Sequence, residues 1–324
     1  MKVAVIGGGR SGEHEVSLES AKSIRQGLRE AGHEVHYVEI AKDGTWRHGD
    51  EVLAIEPGKG LLGADVVFPA LHGPYGEDGT LQGLLELVDV PYVGSGLHAS
   101  ATCMDKAVFK ELMAHEGLPQ VEFVTLRHPM SEEDRRRIEG LGWPVFVKPS
   151  RLGSSVGISK AGNAAELEAA LTEAFRRDSV VLVERASSGR EIEVGILGVQ
   201  DLTVSEPGEI IVPGDGWYDY EAKYTPGSAE VVIPANLPKV AADKAKEFAE
   251  RAFRATGCSG MARIDFFLEG EQALVSEINT IPGFTQTSAY PRLMETAGVS
   301  FTDLLDRLLA DAVADYRAYR QREH

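Results

Sequence analysis

Between Gly260 and Phe284 the chain reads GMARIDFFLEGEQALVSEINTIPGF, its densest run of chemically useful side chains. From Met261 to Leu268 the residues alternate as in a strand with one dry face. Ile264, Phe266 and Leu268 share one side; Arg263, Asp265 and Phe267 share the other. Glu269-Gly270 makes a turn, and a second alternating run follows from Ala273 to Asn279. There Leu274, Ser276 and Ile278 take one face, and Val275, Glu277 and Asn279 the other. Paired as a hairpin, the runs bring Asp265, Glu277 and Asn279 together beside the Arg263 guanidinium. Hard oxygen donors of this kind suit magnesium, which keeps few protein ligands and takes the rest from water and phosphates. The competing reading is a hairpin with one solvated face, since charged outer faces are common. Ile281-Pro282-Gly283-Phe284 favours the metal, because a Pro-Gly loop after the last donor lets backbone approach a ligand closely.

Other stretches suit phosphate. Val145 to Pro149 ends an apolar strand on Lys148, which there needs an anionic partner or a route to solvent. Ser150 to Gly157 follows, rich in hydroxyl and backbone N–H donors and suited to a phosphate-covering flap. The Walker A pattern does not occur. Gly153-Ser154-Ser155-Val156-Gly157 does match the hydrolase elbow, but Pro149 interrupts the strand leading to it. The only later histidine is the terminal His324, which removes a serine hydrolase. Ala99 to His115 reads as one helix on which Lys106, by pattern alone, is a solvated lysine. Val180 to Arg185 is a strand ending in Glu184-Arg185, with Glu191 beyond. Gly214 to Ser228 has no regular period but holds Trp217, Tyr218, Tyr220 and Tyr224, as an active-site cover would.

The elements that must position these groups begin with a β-loop-α-β unit. A strand from Lys2 to Ile6 enters Gly7-Gly8-Gly9, a helix runs to about Glu30, and Glu34 to Ile40 forms the next strand. Gly7, Gly9 and Gly12 match the dinucleotide pattern G-x-G-x-x-G. Equally, the glycines could serve a tight turn, or the helix start another small ligand. Glu15 is by default a first-turn acid favoured by the helix dipole, and functionally a holder for an ammonium group. Val66 to Leu71 leads into the turn-rich His72–Gly79 loop, where His72 is either a ligand or an ordinary loop histidine. Pro91 to Gly96 reads as the last strand of this unit. Lys239 to Thr256 and the Ser300-capped segment after it read as amphipathic helices.

Composition bounds the function. With 33 basic against 50 acidic residues the net charge is −17, which opposes a nucleic-acid partner. Two cysteines give neither a disulfide framework nor a metal motif, and no apolar run approaches the ~20 residues of a membrane span. The opening MKVAVIGGG is too short in its apolar part for a secretion signal, so a cytoplasmic protein is expected.

In order along the chain, GGGRSGEHEVSLES, LHGPYGEDGTLQG, VPYVGSG, MDK, VKPSRLGSSVGISK, YDYEAKYTPGSAE, ARIDFF and SEINTIPGFTQTSAYP together resemble the D-alanine–D-alanine ligases, an ATP-grasp family. The similarity runs from about Ala4 to Leu309. It implies an α/β, three-domain ATP-grasp architecture. An N-terminal doubly wound α/β substrate domain would span 1–100, a central domain 101–185 and a metal-binding C-terminal domain 186–324, with ATP between the last two. It also implies roles. Lys106 and Lys148 would contact ATP phosphates under the Ser154-Ser155 loop. Glu184 would meet the adenine, with Arg185 beside it, and Glu191 the ribose. Asp265, Glu277 and Asn279 would hold two Mg²⁺ ions, replaceable by Mn²⁺. Glu15 would bind the first D-alanine's ammonium with His72 nearby. Arg263 and the Gly283 N–H would stabilise the oxyanion, and Ser288 and Lys223 would meet the second carboxylate. Tyr224 would link through Ser154 to Glu15. The partners implied are D-alanine and ATP, with no membrane and no nucleic acid, in a homodimer.

Two positions depart from a common pattern of the family: Arg185 where a lysine is expected near the adenine, and Thr287 where some members carry histidine. A nicotinamide oxidoreductase built on Gly7, Gly9 and Gly12 would leave the Arg263–Asn279 constellation unused. A non-catalytic nucleotide-binding regulator could dispense with the metal ligands and Arg263. A ligase of the same fold with another substrate is the nearest alternative.

Overall fold

The structure is a computed structural model and describes residues 1–127, 130–213 and 230–321. Three sheets organise it. In the first, strands β1 (Lys2–Gly8), β2 (Glu34–Ile40), β3 (Trp46–His48), β4 (Glu51–Val52) and β5 (Val66–Pro69) lie in the order β4-β3-β2-β1-β5. The β2-β1-β5 ladder is parallel. Helix α1 (His14–Glu30) covers one face and α2 (Thr80–Val88) the other. Val3 and Val5 pack with Ala21, Ile24 and Leu28 of α1, whereas Ala4 and Ile6 pack with Leu81 and Leu85 of α2. From Val3 to Gly8 every residue of β1 is buried, which is why the strand reads as a continuous apolar run rather than an alternating one. The expected last strand, Pro91 to Gly96, is reduced to a single bridge between Val67 and Tyr92.

Helices α3 (Leu97–Met104) and α4 (Lys106–His115) replace the single helix expected over Ala99–His115. Asp105 breaks it: extended there, it accepts from the N–H groups of Ala107 and Val108 and so caps α4. The second sheet, β6-β9-β7-β8, is antiparallel and comprises β6 (Phe123–Arg127), β7 (Val145–Pro149), β8 (Ser159–Ala161) and β9 (Val180–Arg185). Helices α5 (Glu132–Gly140) and α6 (Ala164–Phe175) bury Ile138, Leu167 and Leu171 against it.

The third sheet joins β10 (Arg190–Gly198), β11 (Thr203–Val204), β12 (Gly208–Ile211), β13 (Glu230–Val232), β14 (Gly260–Glu269) and β15 (Gln272–Asn279). Helix α7 (Lys239–Thr256) packs on it through Ala245, Ala249 and Phe253. Ala99, Cys103, Phe109 and Met113 join that same core. The segment after residue 100, assigned from sequence to the central unit, thus buries its apolar face against the third sheet. Helices α8 (Ala289–Thr296) and α9 (Phe301–Arg320) return to the first unit, where Leu304, Leu305 and Leu308 share the core of α1. Helix periodicity marks which face is apolar but not which partner covers it.

Candidate active site

Loops from all three sheets line one cavity of about 680 Å³. Its floor is the β14–β15 hairpin. The register sets Arg263 opposite Asn279 and Asp265 opposite Glu277, as the alternation of the sequence predicts. The ladder slips between Asp265 and Phe266, so Val275 faces Phe266 and Ser276 is the extra residue. This bulge corrects one expected placement: Val275 turns into the core with Ile264, Phe266 and Ile278, away from Glu277.

Arg263 stands between two acids. Its Nε lies 2.9 Å from Glu193 Oε1, and Nε and Nη2 donate to the two Asp265 oxygens at 2.8 and 2.7 Å. Asn279 Nδ2 donates to Asp265 Oδ2 at 2.9 Å. Among the described residues no group of three His, Cys, Asp or Glu side chains forms a ready metal cluster. Two carboxylates and one amide nevertheless fit magnesium, whose shell would be completed by phosphate oxygens.

The opposite wall is cationic. The cap at Asp105 is closed by Ser150, whose Oγ donates to Asp105 at 2.6 Å and accepts from the Ala107 N–H at 3.0 Å. That break turns Lys106 into the cavity rather than to solvent. Its Nζ donates to Leu152 O at 2.8 Å and lies 3.7 Å from Glu277. Lys148, at the end of β7, donates to Glu184 Oε2 at 2.6 Å, and Lys110, one turn beyond Lys106, lies 3.4 Å from Glu184 Oε1. Burial opposes charge on Glu184, but the Lys110 and Lys148 ammoniums outweigh it and hold the carboxyl down at about 2. Burial alone would lower Lys148, yet Glu184, Glu277 and Glu191 raise it, whereas burial wins at Lys110 and lowers it. Glu184 lines the cavity, where both its oxygens face ammonium groups.

The third wall comes from the first unit. Ser154 Oγ donates to Glu13 Oε1, and Ser154 and Ser155 both have positive φ, at 47° and 57°. Glu13 precedes α1 and is 9% exposed. Its carboxylate lies so close to Gly73 that a Cβ there would fall 2.3 Å from Glu13 Oε2. Glu15 is elsewhere. It lies on the outer side of α1, its side chain 74% exposed and paired with Lys42 at 3.0 Å. The place expected for Glu15, beside Ser154, is taken by Glu13: the residue before a helix points back over its loop, whereas one turned into the helix follows the helix face.

Two glycines of the pattern, Gly7 and Gly9, serve the packing and turn at the end of β1. The N–H of Gly8 donates to Ser17 Oγ and that of Gly9 to Ile40 O, so neither is offered to a phosphate. A Cβ at Gly7 would lie 2.6 Å from that of Ala21, so this glycine is there for close strand–helix packing.

Comparison with known proteins decides among the remaining readings. The sequence pattern described as D-ala D-ala ligase C-terminus matches residues 112–310, and that of the D-ala D-ala ligase N-terminus matches 2–59 and 52–95. The chain belongs to the D-alanine–D-alanine ligase family. It is similar to the D-alanine–D-alanine ligase of Deinococcus radiodurans, 45% identical over 97% of this chain and 99% of that one. The enzyme of that name from Caldicellulosiruptor bescii is 43% identical over 98% and 96%. The D-alanine–D-alanine ligase structure from Coxiella burnetii superposes with a TM-score of 0.90 at 34% identity, over 99% of this chain and 96% of that one. A D-Ala:D-Ser ligase from Enterococcus faecalis superposes at 0.87 with 36% identity, over 95% and 98%. The ATP-grasp α/β architecture is thus shared with solved ligases of the family.

Within this ligase fold the cavity gathers most of the residues singled out from sequence: Lys106, Lys148, Ser154, Ser155, Glu191, Arg263, Asp265, Glu277, Asn279, Gly283 and Ser288. Ser288 Oγ accepts from the Thr285 N–H at 3.0 Å and contacts Thr285 Oγ1 at 2.8 Å. Arg185 sits at the rim, held by both oxygens of Glu269 at 3.0 and 3.1 Å. His72 also reaches the cavity, but its ring nitrogens are taken by Ile281 O and Ser20 Oγ. The two contacts fix the ring at the cavity wall. Lys223 and Tyr224 lie outside the described residues. Sequence reasoning missed Glu13, Lys110 and Glu193. Lys110 follows Lys106 by four residues on one helix face and Glu193 follows Glu191 by two on one strand face, so both carried a signal.

Proposed function

We propose that the chain joins two D-alanines into D-alanyl-D-alanine, converting ATP to ADP and phosphate through an acyl phosphate, for peptidoglycan precursor synthesis. The observation that carries this reading is the meeting of three groups in one cavity of a family member. These are the Glu13–Ser154 pair, the Lys106 and Lys148 ammoniums, and Arg263 beside Asp265, Glu277 and Asn279.

Lys106 and Lys148 bind the ATP phosphates under the Ser154-Ser155 loop, and Glu191 meets the ribose. Glu13 holds the ammonium of the first D-alanine and aims its carboxylate at the γ-phosphorus, so that attack expels ADP. Asp265, Glu277 and Asn279, with the phosphates, would hold two Mg²⁺ or Mn²⁺ ions, which neutralise charge on the transferring phosphoryl group. Ser288 and Lys223 hold the second D-alanine by its carboxylate. Its amine, once deprotonated, attacks the acyl carbon, and phosphate leaves. Arg263 and the Gly283 N–H stabilise the tetrahedral oxyanion. Tyr224 would act through Ser154 and Glu13 to order the incoming amine. Both cysteines are free thiols 3.7 Å apart, in keeping with work in the cytoplasm. Family resemblance supports a homodimer, which light scattering tests.

A second reading keeps the reaction and changes the acceptor, since the chain superposes closely on a D-Ala:D-Ser ligase. The experiment that tests both is phosphate release from ATP and Mg²⁺ with D-alanine alone, then with L-alanine, D-serine or D-lactate added. Release with D-alanine alone and dipeptide as product is expected. Release only when D-serine is added would favour the second reading, and none with any amino acid would overturn both.

A further inference from the structure

The loop that carries Gly283 is gripped at both ends by side chains of the first unit. The N–H of Ile281 donates to Glu77 Oε1 at 3.0 Å, and the Ile281 carbonyl lies 2.9 Å from His72 Nδ1. A carbonyl can only accept, so Nδ1 carries the proton. His72 Nε2 then has a lone pair, which accepts from the hydroxyl of Ser20 at 2.9 Å. Ser20 Oγ in turn accepts from the N–H of Phe284 at 3.3 Å. With a neutral imidazole every donor in this relay has an acceptor. Burial of His72, which lowers its pKa, favours that form. The second oxygen of Glu77 accepts from Gly73 N–H at 2.7 Å, tying the grip to the loop under Glu13.

We infer that Ser20, His72 and Glu77 are positioning residues that fix the Gly283 N–H where the oxyanion forms, by clamping the peptide groups on either side of it. The inference rests on the proposed oxyanion role of Gly283. Three side chains from α1, the His72 loop and its continuation hold Ile281 and Phe284, more than 190 residues away in sequence, as the separations of 209, 204 and 264 residues show. Pro282 adds stiffness between the clamps. An oxyanion donor contributes through its placement before reaction, so a clamp that costs nothing in substrate binding is worth rate.

The test compares wild type with Ser20→Ala and Glu77→Gln. Ser20→Ala breaks the relay at its centre, removing the acceptor for Phe284 and the donor to His72. Glu77→Gln keeps size and one acceptor oxygen but sets an amide N–H₂ against one of the two backbone donors. For Ser20→Ala, kcat is expected to fall about 10- to 100-fold, with KM for ATP and for D-alanine within about threefold. For Glu77→Gln the same pattern is expected with a smaller fall. Affinity for a tetrahedral phosphinate analogue of the dipeptide, measured with ATP, should drop by the same factor as kcat, because both report the oxyanion contact. Turnover and phosphinate affinity like wild type in both variants would overturn the inference while leaving the function intact. A fall in melting temperature and ATP affinity that tracks the loss of turnover would also overturn it, as a merely structural role. A wild type that makes no dipeptide would overturn the reading of the site and the inference with it.

Discussion

Glu13 and Glu15 are two residues apart in the sequence, yet only one faces the cavity, and exchanging each for glutamine separates them. Glu13 is 9% exposed, accepts from Ser154 and borders the cavity, whereas Glu15 is paired with Lys42 in solvent. Glu13→Gln keeps an oxygen for Ser154 but loses the charge that would hold an ammonium. An ion pair at about 4 Å with an effective dielectric near 20 contributes at most ~4 kcal/mol. The gap between a charge-assisted and a neutral hydrogen bond sets a floor of about 1.4 kcal/mol. At about 1.4 kcal/mol per decade, kcat/KM for D-alanine should fall between about tenfold and about a thousandfold. The affinity for ATP should hardly change. Glu15→Gln should leave kcat/KM within about threefold, since an exposed pair is screened by water and salt. Steady-state phosphate release with varied D-alanine and saturating ATP reads both. A larger loss for Glu15→Gln than for Glu13→Gln would refute the assignment and the geometry behind it.

Other outcomes follow from the same cavity. Glu277→Gln should abolish turnover with the fold intact by circular dichroism, and activity within about threefold of wild type at saturating Mg²⁺ would remove Glu277 from the metal site. Arg263→Ala should cost about 10²–10³ in kcat, the size of one lost oxyanion donor, and also lower the melting temperature, because Glu193 loses this counter-charge. A collapse of ATP affinity with kcat preserved would instead make Arg263 a nucleotide ligand. Lys110→Met should destabilise the fold by up to about 3–5 kcal/mol, the range for breaking a buried ion pair, with Lys148 offsetting part of it; unchanged denaturant melts would contradict the role of Lys110. Glu184 is depressed from 4.5 to about 2, so its contribution to stability is present above about pH 4.5 and is lost as pH falls towards 2. Glu184→Gln should flatten the melting temperature across that window, and an acid slope equal to that of wild type would argue against it.

The sequence by itself determined the acidic β14–β15 hairpin, because strand alternation is a local property. A period of two places Arg263, Asp265, Glu277 and Asn279 on one side whatever the strands later pack against. It also marked the β-loop-α-β start of the first sheet, whose doubly wound form the family resemblance implied. The set of motifs was specific enough to identify the family. Tertiary structure decided the rest. The bulge at Ser276 turned Val275 inward, and an alternation count cannot register one extra residue. The break at Asp105 turned Lys106 into the cavity, and it depends on Ser150, far along the chain. Glu13 took the place expected for Glu15 because the start of α1 fixes which acid leaves the helix, and a boundary read from sequence is uncertain by more than that. The hold of His72 on the Ile281 loop came to light only once Ile281 and Ser20 reached it. Local pattern fixes the face on which a side chain lies; which groups face it across the cavity depends on contacts between segments that only the folded chain brings together.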